Sequence, residues 1–198
     1  HSKKSRIVEG KTIEYVTFYM IKDFENQNSK RYANLIKIYA KQYGLQESLV
    51  YAIIKTESNF NPYAVSHVPA FGLMQIVPSS AGRDVHKELE GRDGIPSKEL
   101  LFDPKNNIKY GTTYLNILNT KYLNGINNKE SKEYCVISAY NTGSGNVLRT
   151  FHKEKDSAIK KINSMQPQAV FSTLKTSLPY EETRRYIVKV TEAKRSFR

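Results

Sequence analysis

A single cysteine, Cys135, stands among 198 residues, so no internal disulfide can brace the chain. It sits in the apolar run Tyr134-Cys135-Val136-Ile137-Ser138-Ala139-Tyr140, which marks a buried structural thiol rather than a nucleophile. The four histidines, His1, His67, His86 and His152, are scattered without metal-ligand spacing, so neither a metal nor a cofactor is expected. Phosphate-binding glycine loops and internal repeats are missing. No apolar run reaches the roughly 18 residues of a membrane-spanning helix. A signal peptide is missing too, and the opening His1-Ser2 reads as a cut end from which a targeting segment has been removed. Acids are few: 19 Asp and Glu face 31 Lys and Arg, a net charge of +12. Such a balance favours an anionic partner, whether nucleic acid, membrane surface or anionic polymer. The basic residues are spread along the chain, with some concentration at Arg184, Arg185, Lys189, Lys194, Arg195 and Arg198. No aromatic–basic nucleic-acid motif accompanies them, so no nucleic-acid partner is expected.

What is present is a helical pattern with a different beginning. Hydrophobic residues make up 39% of the chain, enough for a core, and the length suits one domain plus an appendage. Ile13, Tyr15, Val16, Thr17, Phe18, Tyr19 and Ile21 are β-branched or aromatic and follow a plausible turn at Gly10-Lys11. They predict a strand or hairpin, with residues 1–30 forming an N-terminal appendage, the remnant of a preceding domain. Residues 31–198 predict a mainly α domain of short helices. Leu35, Ile38, Tyr39 and Tyr43 give an amphipathic helix closed by Gly44. Leu49, Val50, Ile53 and Ile54 give the next. Residues 61–77 read as loop and turn, Pro78 opens a short helix through about His86, and 90–104 reads as a polar surface loop. Asp103-Pro104 is an N-cap followed by proline at the first helical position, starting a helix that Gly125 ends. The helix around Cys135 stops at Asn141-Thr142-Gly143-Ser144-Gly145, and Val147, Leu148 and Phe151 belong to another. Pro167 and Pro179 open the last two, with Tyr186, Val190, Ala193 and Phe197 as the stripe of the final one.

Chemistry concentrates at the end of the second helix. Val50, Ile54 and Glu57 fall at i, i+4 and i+7 and share a face, which places a carboxylate on an apolar stripe. Desolvation and the negative end of the helix dipole both raise the pKa of such a group. A carboxyl held protonated near neutral pH is suited to general acid catalysis. Three further pieces supply polar groups and aromatic walls of the kind that bind sugars: Gly72-Leu73-Met74-Gln75-Ile76, Ala139-Tyr140-Asn141-Thr142-Gly143-Ser144-Gly145, and Glu182-Thr183-Arg184-Arg185-Tyr186. Each alone has an ordinary explanation as a salt-bridged surface acid, a core turn, a helix stop or a core tyrosine. Their order and spacing together are far more specific.

The motifs E-S-x-F-N-P-x-A-V-S, G-L-M-Q, A-Y-N-x-G-x-G and E-T-R-x-Y, over about residues 31–197, resemble the lytic transglycosylases of bacterial cell walls, which have a goose-lysozyme-like catalytic fold. Within them the chain is most similar to the membrane-bound lytic murein transglycosylase C group. The resemblance implies that Glu57 is the catalytic acid and base. It implies that Ser66, nine positions on, orients the site and the acetamido group of the sugar. Met74 and Gln75 match a cleft-lining pair, Tyr140 and Asn141 a pair facing the acid and the sugar, Tyr186 the aromatic near the scissile bond, and Glu182 an acid that meets polar groups of the substrate. Thr142 stands where many relatives have alanine or glycine. The implied partners are peptidoglycan glycan strands and, through a lipid anchor lost upstream, a membrane; the implied location is the periplasm, associated with the outer membrane.

Two-carboxylate glycosidases need a second acid opposite the first. Asp84, Asp93 and Asp103 fall in loops or at caps, and Glu182 sits in a binding motif. A one-carboxylate route follows from the resemblance. Glu57 protonates the bond between N-acetylmuramic acid and N-acetylglucosamine, then takes the proton of the muramic 6-hydroxyl as a 1,6-anhydro ring closes. A lysozyme-type hydrolase and an inactive glycan-binding module are the alternatives.

Overall fold

The computed structural model describes residues 2–8, 11–17 and 24–197. It opens with an antiparallel hairpin of β1 (Ser2–Val8) and β2 (Lys11–Thr17), in register from Ser2 opposite Thr17 to Val8 opposite Lys11. The predicted hairpin is thus present. The Gly10 turn and the expected strand residues Phe18, Tyr19 and Ile21 lie outside the described residues. Helix α1 (Phe24–Arg31) follows and runs across residue 30.

The helical part is organised around two buried helices. α3 (Glu47–Ser58) buries Leu49, Val50, Ala52, Ile53 and Ile54 between α2 (Ala33–Gln42) and the final helix α11 (Glu181–Ser196). α6 (Pro104–Ile117) is buried along nearly its whole length, through Ile108, Tyr110, Gly111, Thr112, Thr113, Tyr114, Leu115 and Ile117. Its inward hydroxyls stay satisfied because Thr112 donates to the Ile108 carbonyl and Thr113 to that of Lys109, both at 2.8 Å. The predicted cap is in place: Asp103 Oδ1 accepts from the Asn106 N–H at 2.8 Å, with Pro104 leading the helix. A π-type turn, Leu118–Tyr122, ends this segment before Gly125, whose φ is 95°.

α7 (Lys129–Thr142) carries the fully buried Cys135, whose thiol burial pushes up to about 12. Gly143, at φ 82°, separates it from α8 (Ser144–Phe151). α10 (Pro167–Ser177) and α11 pack on α7 and complete the domain.

Two expectations change, and one further helix was not foreseen. α2 buries Ile36, Tyr39 and Ala40, while Ile38 is 60% exposed. Tyr32, Ile36 and Tyr39 keep the helical period, and Ile38, two residues past Ile36, falls on the opposite side. The stretch 90–104 is not all loop: α5 (Lys98–Phe102) forms there, with Ser97 Oγ accepting from the Leu100 N–H and Leu101 fully buried. The lysine-rich segment Lys155–Asn163 is a helix, α9, on the strength of two buried residues, Ala158 and Ile162. Ahead of α5, α4 (Arg83–Glu90) continues the π-type turn Pro78–Gly82, as Pro78 foretold.

Candidate active site

α3 ends abruptly at the acid. Asn59 and Phe60 both take left-handed conformations, with φ 48° and 63°. Such a backbone is costly for a bulky side chain. It is held by packing: Phe60 is buried against Tyr51 and Phe197, whose own rings stack at 5.1 Å. The reversal leaves Glu57 in the last helical turn, at the floor shared by two grooves of about 750 and 420 Å³.

Ser66, Gln75, Asn141 and Glu182 line both grooves with Glu57; Tyr140 lines the larger and Tyr186 the smaller. Six of the seven residues expected around the acid therefore converge on it. Met74 does not. Its side chain is fully buried and pressed on Gly111, where an added Cβ would come 2.2 Å from the Met74 sulfur. It packs beneath the turn, and its contribution to the site is through its backbone, whose carbonyl accepts from the Tyr140 hydroxyl at 2.8 Å.

Tyr186 Oη donates to Glu57 Oε1 at 2.7 Å. Burial raises the Glu57 carboxyl from 4.5 to about 7; the Tyr186 hydrogen bond opposes that rise and the charge of Glu182 adds to it. Near neutral pH the group is therefore divided between its acid and base forms. Burial and the neighbouring Glu57 charge hold the Tyr186 hydroxyl well above its ordinary value, so it remains a donor. The same causes act on Tyr140. Because the Tyr140 proton is committed to Met74, Tyr186 is the hydroxyl whose dipole addresses the acid.

The turn that follows Ser66 is fixed from below. Asn107, fully buried on α6, accepts from the Met74 N–H at 2.7 Å and donates to the Phe71 and Leu101 carbonyls at 2.8 and 2.7 Å. Gly72 is required here, at φ 78° with the Asn107 amide 2.3 Å from where a Cβ would lie. Ser58 Oγ lies 2.8 Å from the Leu73 carbonyl and 3.1 Å from that of Ile54, tying the turn to the end of α3. Gln75, left-handed at φ 47°, gives both amide hydrogens to the Ala64 and Gly72 carbonyls, at 3.0 and 2.9 Å. Ser66 Oγ donates to the Val68 carbonyl and accepts from the Ala70 N–H, closing the exposed loop at the rim.

On the far side, the last two motifs lock together. Thr183, buried on α11, donates to Asn141 Oδ1 at 2.6 Å, and Asn141 Nδ2 faces Glu182 Oε1 at 3.5 Å. Thr142 is engaged through its hydroxyl and carbonyl with Asn146 Nδ2, at 3.0 and 2.9 Å. The sequence reading missed Ser58 and Asn107, which act on other parts of the site, and Thr183, Tyr180 and Asn146, which line the larger groove directly. Ser58 and Thr183 stand inside motifs already singled out. Nothing in the local pattern marks Asn107.

A helical domain whose cleft centres on one elevated carboxyl can donate and recover a proton at a polar, aromatic-walled groove. The comparisons agree with that architecture. The transglycosylase SLT domain model matches residues 34–163, and the chain belongs to that family. It is 48% identical over 193 residues to the membrane-bound lytic murein transglycosylase C of Mannheimia succiniciproducens, covering 98% of this chain and 54% of that protein. For the protein of the same name from Yersinia pestis the identity is 49%, over 94% of this chain and 52% of the relative. The chain thus spans about half the length of the curated relatives it matches. Among solved structures, the 70 kDa soluble lytic transglycosylase of Escherichia coli superposes with a TM-score of 0.62 at 28% identity, over 84% of this chain and 24% of that one. A complex of the 70 kDa soluble lytic transglycosylase with bulgecin A gives 0.64 at 27% identity, over 87% and 25%.

Proposed function

We propose that this chain cleaves the β-1,4 bond between N-acetylmuramic acid and N-acetylglucosamine in peptidoglycan and leaves a 1,6-anhydromuramic end. The observation that carries the reading is Glu57, raised to about 7 and bonded to Tyr186 at the floor shared by two grooves. Protonated Glu57 gives its proton to the glycosidic oxygen, the bond to the muramic anomeric carbon breaks, and an oxocarbenium-like sugar forms. The sugar's own acetamido group helps stabilise that carbon. The Glu57 carboxylate then accepts the proton of the muramic 6-hydroxyl, whose oxygen closes onto the anomeric carbon. The proton returns to Glu57, and no water is consumed. Tyr186 steadies the carboxylate between the two steps, and Ser66, Gln75, Asn141 and Glu182 bind the sugar's polar groups.

The relatives' name supports a place in the bacterial cell envelope, facing the periplasm, with the membrane as a second partner. The net charge of +12 suits both an anionic leaflet and the carboxylates of murein peptides. Mass spectrometry of murein digested by the chain tests the reaction. Anhydro-muropeptides, one water lighter than hydrolytic products, are expected, and Glu57→Gln should yield none. Reducing-end products instead would make the chain a lysozyme-type hydrolase. Unchanged turnover by Glu57→Gln would remove Glu57 from the chemistry.

A further inference from the structure

The two grooves that meet at Glu57 differ in charge. Glu57, Glu181 and Glu182 line both, and among the described residues no basic side chain lines the larger, whereas the smaller adds Arg185 and Lys189, one turn apart on α11 and flanking Tyr186. These two residues also line a third groove, of about 450 Å³, together with Arg184, Lys175, Glu181 and Val188. A path that gains positive charge outward therefore leads from the acid to the cleft between α10 and α11, where four basic side chains face the single acid Glu181. Arg184 is anchored at its base by donating to the Leu178 carbonyl. Arg185 holds Glu181 at 2.5 Å, but both side chains are mostly exposed, and such a pair exchanges readily for another carboxylate. Among the described residues no carboxylate pairs with Lys189.

A glycan backbone of N-acetylated sugars offers these cations nothing to pair with. The peptide on muramic acid does. Its lactyl ether stands on the ring whose anomeric carbon is attacked, so the stem leaves the strand within one sugar of Glu57, and it carries free carboxylates. Resting on the murein-cleaving reading, we infer that Arg185 and Lys189 form a binding site for the carboxylates of the peptide stem, and that the channel past Lys175 and Arg184 receives the rest of that peptide. Arg185 supplies a planar fork suited to bidentate carboxylate binding, and Lys189 a point charge beside it.

Binding is measured in the Glu57→Gln protein, so that it does not depend on turnover. The probes are glycan strands with intact stems and the same strands with their stem carboxylates converted to carboxamides. The R185A/K189A pair of substitutions should weaken binding to the carboxylate-bearing strands by about tenfold or more and to the amidated strands by less than about twofold. Arg185→Lys with Lys189→Arg should restore most of the loss, and added salt should weaken only the carboxylate-dependent part. Equal weakening for both probes, or none for either, overturns the inference. Absence of anhydro product from the unsubstituted chain would instead overturn the underlying reading, because the binding difference is scored separately.

Discussion

The two walls that meet at Glu57 are held by different means. The wall of residues 61–77 is fastened through its backbone: Asn107 takes two of its main-chain groups and joins them to the Leu101 carbonyl of α5, Ser58 faces a third at Leu73, and Gln75 spends its own amide on two more. The wall of α11 and the end of α7 is fastened side chain to side chain, through Tyr186 to Glu57 and Thr183 to Asn141. The first arrangement fixes a shape. The second sets the protonation and orientation of groups that face a ligand.

The comparison breaks most visibly at Asn107. Asn107→Ala would strand the Met74 N–H and the Leu101 carbonyl in the interior and leave the Phe71 carbonyl only its bond from the Ile76 N–H, and should lower stability by roughly 2–4 kcal/mol in denaturant or thermal unfolding. The Glu57→Gln variant should move the other way. With the folded carboxyl raised from 4.5 to about 7, the folded chain binds the proton more tightly than the unfolded one. The stability this confers is complete below pH 4.5 and is lost as pH rises through about 7. Glutamine keeps the acceptor for Tyr186 without the charge. The variant should match the original near pH 4 and exceed it by roughly 2–3 kcal/mol at pH 8, read from unfolding at the two pH values. Smaller effects separate the two neighbours of the acid. Tyr186→Phe should cut turnover on murein by about tenfold and shift the alkaline limb of kcat/KM upward, because a bond favouring the carboxylate is gone. Glu182→Gln should shift that limb downward, because a like charge is gone. Shifts in the same direction would show that the two residues do not tune Glu57 separately.

The contrast also explains what the sequence revealed. Glu57 and the helix under it were legible because apolar residues at helical spacing put a carboxylate on a buried stripe. The Asp103-Pro104 start was legible because capping is local. On the α11 wall, Glu182 came from a motif and Tyr186 from both that motif and the helical stripe, and both line the smaller groove with Glu57. The backbone-held wall was the harder part. Asn107 acts on residues 33 and 36 positions away, and a lone asparagine in a helix gives no sign that it reaches main-chain groups across the fold. Met74 was expected on the cleft wall because the G-L-M-Q motif pairs it with Gln75 there, yet the tight turn at Gly72 sends the two side chains in different directions. Ile38 was assigned to the core because Leu35, Ile38 and Tyr39 also fit a helical period, one rotated away from the stripe of Tyr32, Ile36 and Tyr39 that is buried, and α5 and α9 were missed because each buries too few residues to impose a period.

The position of Gln75 has a consequence for which ligands the cleft admits. Both of its amide hydrogens are occupied inside the protein, so what it can present to the groove is an oxygen. A ligand group seated there must bring its own hydrogen, as a hydroxyl or an N–H does. A carbonyl or carboxylate at the same place would meet lone pairs with lone pairs. Polarity at this point of the cleft is thus selected by the turn, before any ligand arrives.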